Sequence, residues 1–115
     1  MRLEVIKKTS DFKKVAQRGK RISTKGMIVQ AIDSNTDIMR VGFTASKIIG
    51  GAVKRNKVKR RLRAVARLVL PSIGKNNLDY VLVGKKAAID REFVSLCKDF
   101  KYALHSLDAV KKNSK

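Results

Sequence analysis

Apolar residues repeat along this chain with two different periods, and the changes between them divide it into elements. Phe12, Val15 and Ala16 fall at i, i+3 and i+4. This spacing predicts a short helix that Thr9 or Ser10 can cap, running to about Arg18 and stopped by Gly19. Residues 22–32 are β-like, and Asp33-Ser34-Asn35-Thr36-Asp37 is a polar turn cluster. Residues 38–45 read as a strand that returns beside them in a hairpin. Gly50-Gly51 breaks the chain before a helical stretch over about 53–70, which Pro71 ends. After a polar loop at 74–77, the run 78–83, apolar except for Asp79, suits a strand buried on both faces. Asp90 caps a last helix to about Leu107, whose apolar positions are Phe93, Leu96, Cys97, Phe100, Leu104 and Leu107. The pattern predicts one α+β sandwich over residues 1–115, with about 109–115 a disordered basic tail; strand order stays open.

The middle helix is patterned twice. Val58, Leu62, Val65, Ala66 and Val69 form one apolar stripe at i, i+4, i+7, i+8 and i+11. Asn56, Arg60, Arg63 and Arg67 repeat that spacing two residues earlier, which at about 100° per residue places them on the opposite side. Residues 54–63 read Lys-Arg-Asn-Lys-Val-Lys-Arg-Arg-Leu-Arg. One face of this helix is built to pack on a core and the other to meet an anion.

Charge sharpens the picture. Lys+Arg 28 against Asp+Glu 9 gives a formal net charge of +19 in 115 residues, 43% of them hydrophobic. The chain can fold, yet so large a charge opposes compaction by self-repulsion and implies an anionic partner. No acid lies between Asp37 and Asp79, so the field is concentrated in the middle of the sequence. Basic residues lacking interleaved Glu at i±4 repel one another by a few tenths of a kcal/mol per pair unless an anion intervenes. Arg predominates on the outward stripe, where its fork can clamp phosphate bidentately. A membrane surface is the competing anion. The helix's apolar face is Val, Leu and Ala rather than the bulkier interfacial set, and no run approaches a bilayer span or a signal-peptide core. Nucleic acid in a reducing, cytoplasmic setting is the expected partner, with Cys97 read as a buried small hydrophobe.

Side-chain catalysis has little to work with. One His and one Cys exclude a four-ligand zinc site within the chain. His105 projects away from the last helix's apolar stripe with no nucleophile pattern beside it. The acids show no close pair of the kind that holds two metal ions, and Asp90 and Glu92 are explained by a helix N-terminus. Gly50-Gly51 lacks the Walker spacing. No second helix lies just upstream for a helix-turn-helix reader. Aromatics are 5% of the chain, and Phe12 serves either the core or a groove. The chemistry of this chain is binding.

The segments Arg40-Val-Gly-Phe-Thr-Ala-Ser-Lys47 and Ala52-Val-Lys-Arg-Asn-Lys-Val-Lys-Arg60 resemble the strand end and the arginine-asparagine-arginine helix of the bacterial ribonuclease P protein family. The resemblance runs from the Lys-Lys-Thr-Ser-Asp-Phe12 opening to the last helix. It implies a two-layer αβββαβα sandwich with a four-stranded mixed sheet, three helices and a left-handed βαβ crossover through the basic helix, against the usual right-handed preference. It also implies a non-catalytic subunit of an endoribonuclease whose RNA, with bound Mg²⁺, removes the 5′ leader of precursor tRNA. Lys54, Arg55, Asn56, Lys57, Lys59, Arg60, Arg63 and Arg67, with Ser46 and Lys47 at the helix entrance, would face the catalytic RNA. Phe12, Arg40 and Thr44 would belong to a leader groove between the first helix and the sheet. The protein would act as a monomer in the holoenzyme, with weak self-association without RNA.

Four positions depart from the family pattern. Lys57 stands where the motif usually has its second Arg, exchanging a bidentate fork for a point charge. Ala16 and Gln30 occupy sites where relatives commonly place aromatics, shifting leader affinity from stacking towards backbone charge. Ile48 replaces a frequent second Lys. The alternative, on charge and size alone, is a ribosomal or general structured-RNA-binding protein.

Overall fold

In the computed structural model, which describes residues 3–111, the element order is β1 (Leu3–Val5), α1 (Thr9–Arg18), β2 (Lys20–Ser23), β3 (Met27–Asp33), β4 (Met39–Ala45), α2 (Ala52–Ile73), β5 (Leu78–Gly84) and α3 (Phe93–Ser106). Short 3₁₀ turns at Lys47–Ile49 and Lys86–Ile89 lead into α2 and α3. The strands form one mixed sheet in the order β1-β4-β5-β3-β2. β5 lies parallel to β4 and antiparallel to β3. The α+β class expected from the sequence holds, but the sheet has five strands rather than four. β1 is only three residues long and carries Glu4 in its middle, too short for an alternating signal. It pairs parallel to β4, with Leu3 opposite Met39 and Val5 opposite Val41.

Strand pairing also corrects the expected hairpin. Residues 22–32 are not one strand, and 38–45 do not return beside them. Chain reversal occurs at Thr24–Gly26, where the Thr24 hydroxyl donates to the Met27 carbonyl at 2.8 Å and Met27 N–H donates to that hydroxyl at 3.3 Å. β2 and β3 form the hairpin, with Ile22 opposite Val29. The polar cluster after β3, with Asn35 in the left-handed region at φ 61°, carries the chain to β4 on the far side of β5. Central placement of β5 buries its apolar run on both faces: Tyr80 and Leu82 look into the main core, and Val81 into a second cluster with Ile6 and Val15. A β3–β4 hairpin would leave β5 at an edge.

α2 and α3 cover one face of the sheet, and α1 covers part of the other. The apolar stripe of α2 is buried throughout: Val58, Leu62, Val65, Ala66 and Val69 all lie in the main core. The helix approaches β5 so closely that a Cβ on Gly84 would overlap the Val58 side chain. α2 runs three residues beyond its expected end, with Pro71 inside. Pro71 lacks the N–H that would bond the Arg67 carbonyl, but it sits in the last turn on the exposed side. The helix closes past it through Gly74 N–H donating to the Leu70 carbonyl at 2.9 Å.

Two expected caps are different. Lys8 occupies the N-cap of α1 without a side-chain bond, in place of Thr9 or Ser10. Glu92, not Asp90, precedes α3, and Asp90 instead ends the 3₁₀ turn. At the C-terminus of α3, Ala109 N–H donates to the Leu104 carbonyl (2.8 Å) and Asp108 N–H to the His105 carbonyl (3.1 Å), with Asp108 at φ 55°. That is a Schellman closure with Asp in place of the usual Gly. It turns the chain back across α2, so the expected disorder from 109 onward is corrected for the first residues of that segment. Ala109 is buried, Val110 bridges Gly74, and Lys111 N–H donates to the Ile73 carbonyl at 2.8 Å. Residues 112–115 of the expected tail lie outside the described residues.

Candidate nucleic-acid interface

The outward face of α2 is basic and free of carboxylates along its whole length. Lys54, Asn56, Lys57, Arg60 and Arg67 are exposed, while Arg55, Lys59 and Arg63 are half-buried. The sequence therefore places its charged stripe correctly opposite the core, although the cations differ in freedom. The Arg63 guanidinium lies over the Phe43 ring, 5.4 Å from its centroid, which orients it without neutralising it. The Nε of Arg55 is enclosed with no hydrogen-bond partner, so no internal acceptor engages that atom. Arg61 belongs to the basic run but not to the stripe. It donates to the Ala88 carbonyl at 2.6 Å and to the Ile89 carbonyl at 3.3 Å, tying α2 to the turn before α3.

The entrance to α2 is a designed bend. Ser46 accepts from Ile48 N–H at 3.3 Å, capping the 3₁₀ turn, so its hydroxyl is engaged locally. Gly50 at φ 131° then takes a backbone conformation that a side chain would strain. Lys47 and Ile48 are left exposed beside the first turn of α2.

On the opposite face of the sheet, Arg40, Gly42 and Thr44 alternate along the same side of β4, beneath α1. Phe12 packs close against the strand, because Gly42 has no Cβ; one built there would sit 2.6 Å from the Phe12 ring. Phe12 is half-buried and packs with Ile6, Val15 and Val81, so it serves both the core and the rim of the groove. Gln30 is buried, and Ala16 exposed on α1. Thr44 is half-buried, paired with Val83.

Arg40 is at the groove but is not a free cation. Its Nε and Nη2 donate to the two carboxylate oxygens of Asp79 at 2.9 and 2.6 Å, and Nη1 donates to Asp11 at 3.3 Å. Hydrogen bonding to Asp79 holds the guanidinium's pKa above its ordinary value, against the opposing effect of burial. Sequence reasoning missed both carboxylates. The available signal was Asp79 itself, a lone acid in an apolar strand, which must find a cation when buried.

A cavity of about 290 Å³ at the far end of the sheet is lined by Arg18, Lys20, Asp33, Lys75, Asn77 and Asp108 among others. Lys75 there pairs with Asp108 at 3.8 Å. Two acids, Asp33 and Asp108, are interleaved with its cations, unlike the carboxylate-free α2 face. His105 is exposed, and Cys97 is buried with its thiol pushed up by desolvation. Among the described residues, no three His, Cys, Asp or Glu side chains converge in a way that could hold a metal ion. None of the described helices is long and apolar enough to cross a membrane.

A family model described as ribonuclease P matches residues 1–108. The ribonuclease P protein component of Ruegeria pomeroyi is 45% identical over 113 residues, spanning 95% of this chain and 90% of that protein. The chain belongs to the ribonuclease P protein family. The component from Paramagnetospirillum magneticum is 38% identical over 96% of this chain and 87% of its own length. Among solved structures, the RNase P protein of Staphylococcus aureus superposes with a TM-score of 0.77 at 24% identity, over 93% of this chain and 97% of that one. That similarity confirms the fold, including the placement of α2 against a mixed sheet. In this member of the family, Lys57 is exposed on the outward flank of α2 and Ile48 is exposed at the helix entrance.

Proposed function

We propose that this chain is the protein subunit of ribonuclease P, that α2 grips the enzyme's RNA, and that the α1 face of the sheet receives the 5′ leader of precursor tRNA. The observation carrying the reading is α2 itself: a carboxylate-free cationic face backed by a fully buried apolar stripe, in a chain of this family. A solvated lysine face would not require such rigid support. Lys54, Asn56, Lys57, Arg60 and Arg67 contact RNA phosphates and 2′-hydroxyls directly, Lys59 and Arg63 flank them, and Arg55 and Lys47 lie at the helix entrance. Ser46 shapes that entrance. Neutralising about six phosphates would make log affinity fall by roughly five per tenfold rise in salt.

In the groove, Phe12 and Thr44 meet the leader. Arg40 works differently, as the clamp that fixes α1 to the sheet through Asp11 and Asp79. Phosphodiester hydrolysis belongs to the RNA and its Mg²⁺. Asp11 and Asp79 are already engaged by Arg40 at the groove, and no carboxylate lies on α2.

Reconstitution with a bacterial ribonuclease P RNA at low Mg²⁺ tests the reading. Precursor-tRNA cleavage should rise well above that of RNA alone, and the protein by itself should cleave nothing. No stimulation would overturn the assignment, and co-purification with ribosomal particles instead would favour a general RNA-binding role.

A further inference from the structure

α3 carries a second cationic stripe that the core does not use. Val94, Lys98, Lys101, Tyr102 and His105 follow one another at i, i+4, i+7, i+8 and i+11, and all are exposed. At about 100° per residue they centre roughly 150° from Phe100, which points into the core, whereas Asp99 lies roughly 100° to the other side. Asp99 accepts from Gly26 N–H in the β2–β3 turn at 3.2 Å and from Arg91 Nε at 2.7 Å. The Asp99 side of α3 therefore faces β2, and the stripe is turned towards α2.

α2 answers with a matching flank. Lys57, Arg61, Ala64 and Leu68 recur at i, i+4, i+7 and i+11, and Arg61 on this flank reaches the turn before α3. The two helices pack side by side on the same face of the sheet, so their outer surfaces meet. No carboxylate interrupts them: α2 has none, and Asp99, the single acid of α3, is held by Arg91. Neither Lys98 nor Lys101 forms an ion pair with a described residue.

Charge alone would mean only solvated lysines. Beside these cations, however, Tyr102 is 64% exposed, Val94 62% and Leu68 61%. Apolar and aromatic surface set among cations suits unpaired nucleotides, whose bases stack while their phosphates are neutralised. The sheet separates this surface from the groove under α1.

We infer that α2 and α3 form one continuous RNA-binding face, on which Tyr102 stacks against an unpaired base of the RNA subunit and Lys98 and Lys101 hold the neighbouring phosphates. The inference rests on the reading of the chain as the protein subunit of ribonuclease P. The test measures binding of the full chain to a ribonuclease P RNA transcript, without precursor tRNA, across a salt series. Tyr102→Ala should weaken binding by roughly 5- to 100-fold, with Tyr102→Phe within about twofold of the parent. Lys98→Ala with Lys101→Ala should reduce the salt slope by about two. All three positions are exposed, so thermal melting should be unchanged and loss of folding cannot imitate the result. Arg60→Ala separates the two levels. If it weakens binding while the α3 variants bind like the parent, the α3 surface is not an RNA site and the basic helix stands. If Arg60→Ala also binds normally, the RNA reading itself falls. Unchanged RNA affinity with lost self-association in Tyr102→Ala would place a second copy there and overturn the inference.

Discussion

At the scale of single residues, the chain's few acids are as informative as its many bases. Asp79 is buried in the central strand and depends on Arg40 for both its oxygens. Truncating the guanidinium would leave a carboxylate desolvated and unpaired, for which costs of about 3–5 kcal/mol are typical; partial exposure of Arg40 puts this pair at the lower end. Arg40→Ala should therefore lower urea-unfolding stability by about 3 kcal/mol, and Asp79→Asn in that background should recover part of it. A variant as stable as the parent would show that Arg40 is free for the leader after all. Tyr80 gives a pH signature. Burial holds its hydroxyl pKa above the ordinary phenol value of about 10, favouring the neutral form in the folded state. Its contribution is thus complete below that pH and is lost as pH rises further. Comparing stability at pH 8 and pH 10.5, the parent should lose more than Tyr80→Phe, which has no proton to release. Lysine deprotonation is common to both proteins and cancels in the comparison.

At the scale of elements, α2 has separable faces. Leu62→Ala removes a fully buried side chain next to Gly84 and should cost ~2–5 kcal/mol of stability. Arg60→Ala, on the exposed side, should leave stability within about 0.5 kcal/mol and reduce the salt slope of RNA binding by about one. Loss of stability alone in both variants would make the outward face structural. Both stripes were legible because helical periodicity is local: it needs only the spacing of residues within one segment. The end of α2 was misread because a proline in a last turn costs one hydrogen bond without stopping the helix. The β3–β4 pairing was misread for a different reason. Alternation states which side of a strand is buried but not which neighbour it has, and β5, distant in the chain, claims both.

At the scale of the molecule, a net charge of +19 must be held within one small fold. Self-repulsion should be relieved by screening, so the thermal midpoint should rise between low salt and about 0.3 M salt even as RNA affinity falls. A midpoint that does not move would mean that the charges are too well separated to oppose folding. Opposite responses of stability and binding to the same variable would show that the cations are placed for a partner. The fold also distributes them, separating the α1 groove from the α2–α3 surface by the thickness of the sheet.

By itself the sequence determined that a basic helix would have a core face and an outward cationic face, and that the strand over 78–83 would be largely buried. These follow from local spacing and from which side chains are present at all. Only the tertiary structure decided that Arg40 serves Asp79 and Asp11, that Arg61 ties α2 to the turn before α3, that Leu3–Val5 adds a fifth strand, and that the stripes of α2 and α3 adjoin. Each of these depends on a burial or a charge that must be satisfied by residues distant in the chain, which periodicity does not encode.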